Sequence, residues 1–430
     1  MKRILIASTL LSVGLISCNR EINEDVTSND SNRLTTVSGS ELESELTEMN
    51  ESFAISGKST SLSYSYKAYA EPPQINSIRT NATSVTSIRD VVFVTWHTLD
   101  APYGGAISAY KLDNGTGKYV YTARVDFIDT DFHEAVAAIN PGLGTYEVFA
   151  VGQRDPDQSG YLLNGHKGAI VGKISYDYIN DVFNTADYKE LPLPSYGANG
   201  IITSGGKYYI VTGNGNGGDP TFQQGGLFVT DYNLTNVSEA ANLVDGEFIV
   251  ANQFTASTSS LDYSVLERND GDKVSVYYQK NTSATVNNAY LGAADATQLG
   301  LSDIDVDRQG MDYLNDSTVL FALGSNGLYS YDPTNGFQLQ SNLGSALAVE
   351  VDDASKIIYY AASEGGLRVL AGDGYPGGAL INNYDLIGNF VPPTGGSFPG
   401  QFEIKDISIY LVDNIALATG LGGMYFIQKN

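Results

Sequence analysis

From about residue 60 onward, short runs rich in Tyr, Val, Ile and Ala alternate with clusters of Gly, Asn and Asp, a pattern that predicts β-strands and turns throughout. One phrase recurs: a strand, a turn, a glycine, then a second strand. It reads Val91–His97 with Gly105-Ala106-Ile107, Val148–Gly152 with Gly168-Ala169-Ile170, Tyr208–Gly213 with Gly226-Leu227-Phe228, and Val319–Gly324 with Gly327-Leu328-Tyr329. "YYAASEGGLRVL" (Tyr359–Leu370) and "IALATGLGGMYFI" (Ile415–Ile427) repeat it, and Val274–Gln279 with Ala289-Tyr290-Leu291 is a degenerate copy lacking the glycine. In Ile357–Ala362 both alternating sets are apolar, so both faces of that strand are expected to be buried. The glycine admits positive φ at the turn and lets the next strand start close to its neighbour.

A repeated sheet with two buried faces must pack against copies of itself. Seven units over about 370 residues give roughly 53 each, the length of a four-stranded propeller blade with its loops. The expected fold is all-β, a seven-bladed β-propeller over residues 60–430, with six or eight blades also compatible. The last repeat reaches only what would be a third strand, and Ser61–Ala70 ("SLSYSYKAYA") is the expected fourth, closing the ring and removing an open edge. Phrases such as "YYAASEGGLRVL", "VLFALGSNGLYSYD" and "YYIVTGNGNGGDPTFQQGGLFVTDY" resemble the LVIVD-type repeat of bacterial surface β-propellers, in which a hydrophobic strand ends near Asp, as at Asp231 and Asp332. That resemblance implies a scaffold and carries no shared catalytic residues.

The first residues read differently. Lys2 and Arg3 precede an apolar run that stops at Ser17-Cys18, the pattern of an export signal. Leu15-Ile16-Ser17-Cys18 resembles the bacterial lipobox, which implies diacylglycerol and palmitate on Cys18, the chain's single cysteine. Residues 1–18 are thus the expected lipoprotein signal and residues 19–55 an acidic flexible tether. The start of that tether, Asn19–Asp25, resembles the acidic export signal of Bacteroidota surface lipoproteins, which implies the outer membrane and the cell surface. Within it, Ser40 with Glu43 and the spacing of Leu42, Leu46, Met49 and Phe53 predict a short docked helix.

Charge narrows the partners. The formal net charge of −25 becomes −27 once residues 1–18 are removed, because Lys2 and Arg3 leave with no acid. Such a field repels phosphate backbones, so nucleic acid is not an expected partner. A single cysteine excludes an internal disulfide.

Candidate chemistry gathers at one end of the expected propeller. The loops Thr98–Gly104, Arg154–Lys167 and Asn214–Gly225 of blades one to three are long, while those of blades five to seven are short turns. Trp96, Tyr103, Arg154, Tyr161, His166, Lys167 and Phe222 lie in or beside them and form the expected partner-binding set. His97, His133 and His166 fall on the same end, yet their spacing matches no zinc motif, and no metal or other cofactor is expected. Glu134, Asp303 and Asp406 share a repeat position with Asn199 and are expected to line the channel, where they could form a weak cation site. Asp303, Asp305 and Asp307 imitate a calcium loop, but Arg308 and Leu314 stand where its glycine and glutamate belong. No nucleophile elbow or phosphate loop is present. The expected role is non-enzymatic docking of a protein in an outer-membrane complex. A glycan- or nutrient-binding module and a propeller hydrolase or lyase are the alternatives.

Overall fold

In the computed structural model the described residues are 33–56, 61–98, 103–140, 144–157, 167–213, 225–252, 263–269, 273–279, 293–295, 310–332, 336–341, 345–355, 357–362, 366–372, 384–390 and 403–430. Their strands form seven antiparallel sheets, each built from a sequential meander. Blade one spans 78–127, two 130–192, three 197–243, four 246–295, five 310–341 and six 349–390. Blade seven takes 406–429 and borrows Ser61–Ala70 from the N-terminal side. The first strands of successive blades lie against one another in order, and that of blade seven returns to blade one, which closes a β-propeller around a central channel.

The two-faced burial expected of the strands is realised by stacking blade on blade. In blade one's second strand, Val91–Thr98, Val91 and Phe93 face blade two, where Phe93 meets Tyr176 at 5.3 Å between ring centroids. Val92, Val94 and Trp96 face the other way, into a core shared with Ala416 and Phe426 of blade seven. Each large side chain fully buried in this way contributes about 1.5–3 kcal/mol relative to leaving it in water.

The marker glycine works by both routes. At Gly105 a side chain would start 2.6 Å from the carbonyl oxygen of Thr130, where the chain crosses into blade two. At Gly423 the backbone has φ 88 and an added Cβ would strike the carbonyl of Ala70. Blade four departs from the expected phrasing. Its second strand is Tyr263–Asn269, and Val274–Gln279 falls in its third strand, Lys273–Gln279. Without the glycine nothing in the sequence marked the turn.

Closure occurs where it was expected: Ser61–Ala70 pairs with Met424–Lys429, placing Ala70 opposite Met424 and Tyr64 opposite Lys429. The tether is corrected. From Arg33 onward it belongs to the body: Leu34–Ser38 adds a fifth strand outside blade one, while Leu46–Glu48 and Ser52–Ser56 pair with the closing strand. The helix shrinks to Ser40–Glu43, with no side-chain cap, although Leu42 is fully buried. Leu46 and Phe53 lie in strands. A short isolated helix is marginal in water, and sheet edges beside it offered unpaired backbone groups, so pairing prevails over the helical spacing. Residues 1–32, including Cys18, lie outside the described residues.

Candidate functional site

The loops between second and third strands leave the body at the end where each fourth strand crosses to the next blade. Their feet are tied across blade boundaries. Gly104, which closes blade one's loop, donates its N–H to Asp131 at 3.0 Å, and Thr98 donates its hydroxyl to the same carboxylate at 3.3 Å. Burial pushes the Asp131 carboxyl up to about 7. Gln153 donates its amide to the Tyr103 hydroxyl at 2.9 Å, joining blade one's loop to blade two's second strand. The Lys167 ammonium lies 5.4 Å from the centroid of the Tyr196 ring, joining blade two's loop to the start of blade three. Tyr103 and Lys167 therefore stand half-buried on one rim. Tyr161, His166 and Phe222 lie outside the described residues.

Two members of the expected set are corrected. Trp96 is wholly buried, and its indole N–H donates to Ser108 at 2.9 Å. Its place on the inward parity of Val91–Thr98 makes it core rather than a stacking platform. Arg154 is consumed internally: it pairs with Asp129 at 3.2 Å and with Glu190 at 2.9 Å. Arg33 completes the arrangement, at 2.7 Å from Asp129 and 3.2 Å from Glu190, and Tyr188 donates to Glu190 at 2.8 Å. Two guanidinium forks and two carboxylates thus form a buried box that seals the N-terminal strand to blade two. Its carboxylates hold the Arg33 charge despite a burial that opposes it. Removing one partner from such a group costs about 3–5 kcal/mol, because it strands a buried charge. Sequence reading missed the box, since Arg33, Asp129, Arg154 and Glu190 have no common spacing.

The channel holds a cavity of ≈ 350 Å³ lined by the first strands of all seven blades. Glu134 and Asp406 line it as expected, whereas Asp303 lies outside the described residues. Asp312 and Glu350 line it too. Three of these acids, Asp406, Asp312 and Glu350, brace blade junctions. Asp406 accepts from Val85 N–H at 2.9 Å and the Ser84 hydroxyl at 2.8 Å in blade one, and Asp312 accepts from Val351 N–H at 2.7 Å in blade six. Glu350 accepts the N–H of Ile409 in blade seven. Burial lifts Asp312 to about 7; it lifts Glu350 well above the carboxylate range, with Asp312 and Asp406 adding repulsion. The readable signal was a lone acid between apolar neighbours in a blade's first strand, as in Met311-Asp312-Tyr313.

Blades one to three use a different brace. The pairing of each first strand slips at one residue, Thr83, His133 or Asn199. Thr83 donates to the carbonyl of Phe132 at 2.8 Å, and Asn199 to that of Gly246 at 2.8 Å. His133 Nδ1 lies 3.0 Å from the carbonyl of Ala198, which can only accept, so Nδ1 carries the proton. The ring of His97 stands 6.1 Å from that of His133. Among the described residues no group of three side chains is arranged to hold a metal ion, and no helix is long and apolar enough to cross a membrane.

No protein-family model and no curated protein matches the chain. Solved structures resemble it at 8% sequence identity. The WD40 β-propeller domain of Doa1 covers 84% of this chain and 96% of its own, with a TM-score of 0.46. U3-55K covers 88% and 98% at 0.47, and the WD40 repeats of RRP9 cover 90% and 100% at 0.47. The chain is a β-propeller by its own sheet order.

Proposed function

We propose that this chain is a non-enzymatic lipoprotein of the outer membrane, exposed at the cell surface, whose propeller docks a protein partner on the rim of blades one to three. The observation that carries the reading is the row of braced loop feet, Gly104 on Asp131, Tyr103 on Gln153 and Lys167 on Tyr196, which tie the long connections of blades one and two across the blade boundaries at one end. Rigidly footed loops on a stiff scaffold are the usual makings of a binding face. The lipobox at Cys18 supports the anchor. Burial of Trp96 removes one of the aromatic platforms a glycan site would use, which favours a protein partner.

The test spares the internal box. Replacing residues 158–166 by Asn-Gly, with Arg154, Asp155 and Lys167 retained, removes the co-purifying partner and leaves the melting temperature unchanged. If the complex survives both this change and the same trimming of 214–224, the docking face lies elsewhere.

A further inference from the structure

The described chain begins at the loop rim. Leu34–Ser38 runs antiparallel to blade one's outer strand, Lys118–Phe127, with Leu34 opposite Phe127 at the end where the chain crosses to blade two. Arg33 is buried there against Asp129, Arg154 and Glu190. Arg154 itself ends the strand that opens the long loop of blade two. Fourteen residues, 19–32, separate Arg33 from Cys18.

We propose that anchor and rim lie on the same side of the body, so that blades one to three face the lipid surface and the protein docked there is itself embedded in that membrane. This rests on the docking and lipidation reading above. Fourteen residues reach at most about 50 Å when fully extended. The ten-residue outer strand of blade one makes the body about 33 Å tall. Turning the opposite end to the membrane sends the arm back along that whole height. Glu21, Glu24, Asp25 and Asp30 against Arg20 make the arm acidic, and it would run beside a body of the same sign. Rim towards lipid needs no such path. With the rim turned to the lipid, the docked protein sits between body and bilayer within the roughly 50 Å that the arm spans, where a membrane-embedded protein presents its ends directly.

The full lipidated chain in liposomes tests the orientation. A fluorophore on a cysteine at Asp157→Cys, exposed on the rim, or at Asn114→Cys, exposed in the turn at the far end of blade one, is read against a quencher on the lipid headgroups. The single native thiol is at Cys18, where the lipid is attached, so labelling reports only the new site. The rim probe loses fluorescence and the far probe keeps it; equal or reversed quenching overturns the orientation. A chain that does not partition at all removes the anchor and this proposal with it, which separates the two failures. For the partner, a photocrosslinker replaces Asp157 in cells, and a protease site is substituted into residues 20–32. After the anchor is cut, the adduct stays with the washed membranes. An adduct released to the soluble fraction shows a soluble partner and overturns the proposal.

Discussion

Asp312 shows how far a position in the ring alters an ordinary side chain. Its carboxyl accepts N–H groups from Tyr313 and Val351, yet burial outweighs those bonds and raises it to about 7, against about 4 in an unfolded chain. With the folded value the higher one, stability is fully present below about pH 4, falls as pH rises through the interval, and levels above about 7. Glu350, repelled by Asp312 and Asp406, reinforces the trend, and Lys405 lines the same cavity beside Glu403. Urea midpoints at pH 5 and pH 8 will therefore show a loss in the native chain and a smaller loss in Asp312→Asn. An unchanged difference would mean that the carboxyl stays ionised throughout. The acid itself was legible as a charge in an apolar strand, but its pairing with the next blade was not, because Val351 follows it by a whole repeat.

At the scale of elements, the closing strand carries three neighbours. Ser61–Ala70 pairs with Met424–Lys429 on one side and with Leu46–Glu48 and Ser52–Ser56 on the other. A chain starting at residue 33 will melt like one starting at 19. One starting at 57 loses the three outer strands and the Arg33 fork and will melt several degrees lower, still cooperatively. One starting at 75 leaves blade seven with three strands and an open edge, and its unfolding will lose cooperativity in calorimetry. The strand's role could be read from the phrase it completes. The outer strands could not, because their apolar spacing suits a helix and only the neighbouring edges decide otherwise.

For the whole molecule, charge opposes compactness. A formal net charge of −25 is spread over a body whose buried cations are already matched. Self-repulsion of this kind is screened within about 10 Å at 0.1 M salt, whereas the buried box at Arg33 is shielded from added ions. The melting temperature will rise as sodium chloride increases from low to moderate concentration. A fall would mean that exposed ion pairs, such as Lys118 with Glu48, outweigh the repulsion.

Local and periodic features were settled by the sequence itself. Strand alternation, the recurring glycine and the missing fourth strand each rest on neighbours along the chain, where spacing maps directly onto geometry. What joins residues far apart was decided only by the tertiary structure. Burial turned Trp96 into core and drew Arg154 into a box with Arg33, Asp129 and Glu190; ring closure set Asp406 against blade one. The physical reason is that a buried charge takes whichever counter-charge the fold brings within about 3 Å, and sequence separation has no bearing on that distance.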